Sequence, residues 1–495
     1  MPQLAELPLL PWAVALPLGG AALVFVVRER AQAIGLAVGV ASAAVGLLLA
    51  VQVATGGVQH HAVGGWGAPL GIDLAADGLS ALMVAMTSVV GLWVSLYSSA
   101  YFGAGDGGHQ RAYFWPLWLL LWTALNALFL AADSFNAYVT LELLGLSAVA
   151  LVALAATPAA LGGAMRYLLV GLLGSLLYLL GVGLLYGAAG TVDFRLLATA
   201  PLAGPAAAVA LGVITAGLVL KTALFPFHFW LPPAHASAPA PVSAVLSALV
   251  VKASFYLLLR FWFWVLPEAA TPIVTNLLGL LGALAVLWGG LRALTAERLK
   301  LLVAYSTVAQ LGYLFLVFPL ALGSVEGFTA WGGVALLLLA HATAKAGMFL
   351  SAGAILKASA HDGVSGIDGT AQALPVTVFA FALAGVSLVG LPPTGGFAGK
   401  WILLNAALAT GQWWWAAVLL AGSLLAAAYT VRVLTHAFTR LPGEPPACVV
   451  PARLEWSAVA LAVAALVLGF AAGEILELLR VGAPVSGPVL MEQLR

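Results

Sequence analysis

Glu142, Lys221, Lys252, Lys345 and Lys400 each interrupt a long apolar stretch in a chain that is otherwise almost free of charge. A charge at the centre of a bilayer costs roughly 2.5–3.5 kcal/mol on insertion scales. Nothing in folding asks for five such costs, so each residue is read as part of an ion or proton pathway. All four cations are lysines and none is arginine. A lysine taken out of water can release and regain its proton near neutral pH, whereas arginine stays protonated. The chemistry these types could do is proton transfer.

Glu142 is the one carboxylate in the middle of an apolar run, within Tyr138-Val139-Thr140-Leu141-Glu142-Leu143. It could be a protonated acid hydrogen-bonded to a neighbouring helix. The sharper reading pairs it with Lys221. A buried ion pair is a poor device for stability. It serves better as a switch, because breaking it frees a charge that must move a proton. Lys400, beside a Pro/Gly loop, could snorkel to an interface. Lys252 is apolar on both sides within 246–259 and has no such escape. His341 and Lys345 are four apart and share a helix face. His228 and His235 flank a Pro-rich stretch. No H-E-x-x-H or Cys/His spacing joins the histidines into a metal centre, so they are read as auxiliary relay groups or hydrogen-bond partners. The segment Gly395-Gly396-Phe397-Ala398-Gly399-Lys400 mimics a phosphate loop, but the required first Gly falls on Thr394 and Trp401 follows the lysine. No catalytic triad, dinucleotide fingerprint or haem signature is found. No catalytic or cofactor-binding residue is therefore assigned.

The elements that must position these groups follow from composition. Of 495 residues, 63% are hydrophobic and 7% charged, with mean hydropathy +1.09. A soluble domain carries about 25% charged residues, so this chain has too few to cover a wetted surface. Its apolar runs reach the ~20 residues a helix needs to cross a bilayer and lack the alternation of a membrane β-barrel. The chain is read as an all-α, polytopic membrane protein. A net charge of +1 argues against a nucleic-acid partner and leaves lipid as the surrounding phase. The single Cys448 excludes an internal disulfide or a Cys-based metal site. Met1–Leu10 has no basic leader, so the first apolar stretch is expected to be a retained helix.

Fourteen spans are predicted: 9–27, 32–54, 77–101, 112–132, 135–156, 162–190, 206–227, 240–264, 271–292, 299–322, 329–356, 373–409 with a break, 412–438 and 455–480. The Gly-rich connection 55–76, carrying His60 and His61, is too short to fold alone. Loops after odd-numbered spans hold eleven of the nineteen Lys and Arg residues, Lys300 and Arg440 among them. The other side holds Arg195, Arg260, Arg480 and Arg495. The positive-inside rule then turns both termini away from the cytoplasm of a bacterial-type inner membrane. Two spans are expected to be discontinuous, the seventh near Pro226, Pro232 and Pro233, the twelfth near Pro392 and Pro393. Proline removes a backbone donor, and such breaks at membrane depth line protein or water. Paired breaks point to a transporter built of inverted repeats.

Several segments together resemble the antiporter-like subunits shared by respiratory complex I, multisubunit Mrp cation/proton antiporters and membrane-bound hydrogenases. They are Asp77-Gly78-Leu79-Ser80, Phe135 to Glu142, the run from Lys221 through Pro226, His228, Trp230, Pro232, His235 and Ser243 to Lys252, Arg298-Leu299-Lys300, His341 with Lys345, and Gly390-Leu391-Pro392-Pro393 to Lys400. The resemblance covers roughly residues 70–440. It implies N-terminal helices in 1–111, inverted five-helix repeats over 112–264 and 271–438, and a C-terminal helix in 455–480. It also implies a Glu142–Lys221 pair, a central relay through Lys252 and Lys345, and Lys400 as the terminal lysine. The chain looks most like the D-type subunit of Mrp antiporters, because Lys400 stands where one complex I subunit carries Glu. Pro233 departs from the acidic or small polar residue usual there. The resemblance implies a proton-translocating subunit among other membrane subunits, with cation (sodium)/proton antiport as the activity. The alternatives are a proton-pumping subunit of a quinone oxidoreductase or hydrogenase, or of an ion-coupled inorganic-carbon uptake complex.

Overall fold

The computed structural model describes residues 7–103, 108–202, 204–321, 327–359, 361–439 and 450–484; Arg440, Cys448 and Arg495 lie outside them. Helices dominate because hydrocarbon offers backbone groups no partner and a helix satisfies its own. In chain order they are α1 (Leu9–Val26), α2 (Ala31–Gly56), α3 (Gly78–Tyr101), α4 (Gly108–Leu130), α5 (Ser134–Ala153), α6 (Pro158–Ala189) and α7 (Pro205–Thr222). Next come α8 (Ala240–Val265), α9 (Pro272–Thr295), α10 (Leu299–Ala321) and α11 (Gly327–Ser359). The last are α12 (Pro375–Val389), α13 (Gly395–Ala409), α14 (Trp413–Phe438), α15 (Ala452–Phe470) and α16 (Ala472–Leu479).

Among the described residues, thirteen helical segments are long and apolar enough to cross a membrane. The remaining expected crossing, 373–409, is the broken one. Its halves, α12 and α13, have 15 residues each, about 22 Å of helix against ~30 Å of hydrocarbon. Helices α8 and α11 are buried throughout their most apolar stretches, whereas only 33–39% of the corresponding stretches of α1, α2, α6 and α14 is buried. The central pair is thus wrapped by helices whose outer faces are leucine-rich and suited to lipid. Helices α6 and α7 meet backbone to backbone. A Cβ on Gly174 would stand 2.8 Å from the Gly217 carbonyl oxygen, and one on Gly217 would stand 2.4 Å from that of Gly174. Small residues permit this approach in membranes.

The structure adds to the expected elements in three places. Helix α7 stops at Thr222, before the predicted 227, because Ala223 adopts a left-handed φ of 58°. The chain then continues through a 3₁₀ turn, Phe227–Trp230, and a short helix, Leu231–Ser237. The last predicted span divides at Ala471 into α15 and the short α16. The connection 55–76 forms an antiparallel hairpin of β1 (Gln59–Ala62) and β2 (Asp73–Ala76), with His60 opposite Ala75 and His61 opposite Leu74.

Candidate functional site

The first break places Lys221 in the last turn of α7. Its Nζ lies 3.6 Å from Glu142 Oε1 on α5, so the pair joined from sequence is in contact across two helices. The separation is longer than a direct charge-assisted hydrogen bond, about 2.7–2.9 Å. The lysine side chain is 8% exposed and the glutamate 21%. Two glycines make room for the ammonium. A Cβ on Gly145 would come 3.7 Å from Lys221 Nζ, and one on Gly174 would come 2.9 Å from its Cγ. The break is itself held. Trp230 Nε1 donates to the Leu220 carbonyl over 3.0 Å, satisfying an acceptor at the helix end. The Trp230 ring stacks on Tyr167, centroids 4.3 Å apart.

Lys252 sits on α8 directly after a π-helical stretch, Leu246–Val250, and is completely buried. Its Nζ donates to the Ser247 carbonyl. The Ser247 hydroxyl lies 2.8 Å from Thr307 Oγ1 on α10. The adjacent Ser306 hydroxyl accepts from Lys345 Nζ, which also donates 3.0 Å to the Val303 carbonyl. Lys252 and Lys345, on α8 and α11, are therefore joined through neighbouring residues of α8 and α10. Toward the first break, Thr222 Oγ1 donates 3.0 Å to Ser254 Oγ, two residues past Lys252. Helices α7, α8, α10 and α11 thus bring three of the predicted lysines onto one buried polar axis.

Lys400 closes the other end. From α13 its Nζ donates to the carbonyls of Leu388 (2.8 Å) and Val389 (3.1 Å), the last residues of α12, and to Ser423 Oγ (3.1 Å). It also lies 4.5 Å from the centre of the Tyr313 ring. A cation is well placed against orphan carbonyls at a helix C-terminus. Lys400 is 7% exposed, so it does not snorkel. Gly390, at φ 87°, leaves it space: a Cβ there would stand 2.8 Å from Lys400 Cδ.

The histidines divide. His341 is buried one turn before Lys345, and neither ring nitrogen has a hydrogen-bond partner. His235 is buried with Nδ1 unpartnered and its ring stacked on Phe349 at 5.1 Å. His228 is only partly buried and stacks on Phe225 at the first break. Among the described residues no group of three or more His, Cys, Asp or Glu is arranged to hold a metal.

Two cations that the sequence pattern assigns to loops belong inside. Lys300, counted as a loop cation, is 7% exposed, and its Nζ donates to the Ala238 carbonyl, three residues after His235. Arg260, also counted in a loop, lies on α8 and forms a bidentate pair with Asp77, the residue that caps α3. No local sequence signal marks the Asp77–Arg260 pair: Asp77 caps α3 as Asp133 caps α5 and Asp193 the short helix Phe194–Thr199. Outside the spans, burial holds the Asp133 carboxyl above its usual range. Backbone N–H groups of Asn136 and Phe135 oppose this, and the charges of Asp193 and Asp73 add to it.

A polytopic helical fold with two broken crossings and a buried line of lysines defines an ion-translocating membrane subunit. The family model described as NADH:quinone oxidoreductase/Mrp antiporter, TM, matches residues 131–426, and the chain belongs to that family. It is 37% identical over 404 residues to the N subunit of NADH-quinone oxidoreductase from Desulforudis audaxviator, covering 81% of this chain and 79% of that one. It is 30% identical over 416 residues to the D subunit of a Na(+)/H(+) antiporter from Bacillus subtilis, covering 82% of each. Among solved structures it superposes on a chain of the Mrp complex from Dietzia sp. with TM-score 0.87 and 27% identity, covering 98% and 97%. A chain of respiratory complex I from Thermus thermophilus gives TM-score 0.72 and 28% identity, covering 93% and 98%.

Proposed function

We propose that this chain is the antiporter-like, proton-translocating subunit of a multisubunit membrane complex, and that Glu142, Lys221, Lys252, Lys345 and Lys400 carry its proton relay. The observation that carries the reading is the polar axis. A glutamate–lysine pair at one break is followed by two fully buried lysines joined through hydroxyl-bearing residues, and by a lysine capping the other break. In each lysine the charged form gains from its polar partner and loses hydration, so two opposing effects set its protonation state. A proton arriving at one site therefore changes the field at the next. His341, His235 and Lys300 line the same axis as auxiliary groups, and His228 guards its first break.

Sodium/proton antiport of the Mrp type is the preferred activity, supported by the superposition on the Mrp complex over nearly the whole chain. The second reading is a proton-pumping subunit of a quinone oxidoreductase, favoured by the 37% identity to the N subunit of that enzyme. In either case the driver is another subunit of the assembly, and the chain sits in a bacterial-type inner membrane with both termini away from the cytoplasm. The two readings separate in everted vesicles containing the complete complex, using a pH-sensitive dye. Antiport predicts that added Na⁺ collapses a preformed proton gradient, with no response to NADH supplied together with oxidised quinone. Redox pumping predicts the reverse. A complex that moves protons under neither drive contradicts both.

A further inference from the structure

One cavity lies away from the lysine axis. It encloses about 510 Å³ between the β1–β2 hairpin, the short helix Phe194–Thr199 and the end of α8. Its polar lining includes Asp73, Asp77, Asp193, His60, His61 and Arg260. The Asp77–Arg260 pair, each side chain 11% exposed, lies between this space and the interior. From the pair a hydroxyl chain runs inward. Arg260 Nε donates to Tyr256 Oη over 2.9 Å, and one Arg260 Nη donates to Ser80 Oγ over 2.7 Å. Tyr256 Oη and Ser80 Oγ are 3.0 Å apart. Tyr256 is one turn from Lys252 on α8, and Lys252, Tyr256 and Arg260 recur every four residues along one stripe. The segment 251–260 that carries all three is bounded by π-helical turns, Leu246–Val250 and Phe261–Val265. Such turns interrupt the regular ladder and are frequent at functional sites.

We propose that this cavity is the aqueous mouth through which the central lysine exchanges protons with the face bearing the hairpin, with Asp77 as the proton-carrying group on its floor. The inference rests on the relay reading above. Arg260 cannot release a proton, so it acts as a positioning residue that holds the carboxylate. A proton from cavity water binds Asp77 Oδ. Ser80 accepts that proton and passes its own to Tyr256, whose hydroxyl, donating to the Phe129 carbonyl over 2.8 Å in the resting geometry, turns inward to pass its proton on to the Lys252 amine. This last step crosses one helical turn and requires a bridging water. The reverse order releases a proton outward.

Two arms test this in vesicles carrying the complete complex in a Cys448→Ser background. In the first, Ala75→Cys and Ala198→Cys line the cavity, and Leu70→Cys, 86% exposed on the same connection, does not. A charged, membrane-impermeant methanethiosulfonate applied to the hairpin face should label all three. It should lower proton movement by about fivefold or more in the first two and leave the third unchanged. Full labelling of Ala75→Cys and Ala198→Cys with undiminished transport would overturn the proposal. In the second arm, Asp77→Asn keeps the helix cap but not the carboxylate proposed to carry the proton, and should lose about tenfold. Asp77→Glu should recover a large part of that loss. Full activity of a correctly assembled Asn variant would also overturn it. Lys252→Ala, measured in parallel, separates the two ideas. If it abolishes transport while the thiol block does nothing, the mouth is wrong and the relay stands. If it transports normally, the relay falls and the mouth with it.

Discussion

The two broken helices solve one electrostatic problem in two ways. At the first, Lys221 faces a carboxylate, Glu142, 3.6 Å away. At the second, Lys400 meets backbone carbonyls, a serine hydroxyl and an aromatic face, and it forms no ion pair among the described residues. A formal counter-ion binds the charged lysine strongly and releases it only when the glutamate is protonated or displaced. Carbonyl dipoles and a ring bind it more weakly and require no partner to move. On the proposed relay, the first break acts as a coupled switch whose two protonation steps belong to the pair, and the second as a terminal that loads and unloads alone.

The largest effects should come from cutting the pair. Glu142→Gln and Lys221→Ala should each reduce proton movement by about a hundredfold. Because the residues act as one unit, the double variant should be no slower than either single one. Multiplicative losses in that cycle would argue that the two act separately. Lys400→Gln comes next. The amide retains a donor for the α12 carbonyls, so the protein should assemble with about 1 kcal/mol less stability. Its transport should fall about tenfold, because the titrating group is gone. Ser423→Asp makes the second break resemble the first by placing a carboxylate beside Lys400. It should slow turnover about threefold without loss of assembly, and a faster variant would mean that the absent counter-ion is not what frees Lys400. Tyr313→Phe keeps the ring against the ammonium and should change the rate by less than about twofold.

Charge in hydrocarbon is what made the axis legible. Glu142 and the four lysines stand out because a charge in hydrocarbon is costly, and the breaks stand out because proline and glycine mark them locally. The contacts that escaped have no local mark. Arg260 and Asp77 are 183 positions apart, and each looks in sequence like an ordinary loop charge at the end of an apolar run. Arg260 already falls inside the predicted span 240–264, but no local pattern shows that its side chain meets Asp77. Lys300 counts toward orientation because it follows Arg298, yet only Arg298 reaches out, to Asp362, while Lys300 turns in to Ala238. The hairpin was hidden because its two strands are only four residues long and the first, Gln59–Ala62, has no apolar alternation.

The central claim is that lysines here act by giving up and regaining protons, and Lys252→Arg tests it most directly. Arginine retains the positive charge and hydrogen-bond donors for the Ser247 carbonyl, but it does not deprotonate. In everted vesicles with the variant present at normal abundance in its complex, dye-reported proton movement should be lost as completely as in Lys252→Ala. Proton movement at the unsubstituted rate would show that position 252 supplies only a fixed charge, and the titrating relay would have to be abandoned.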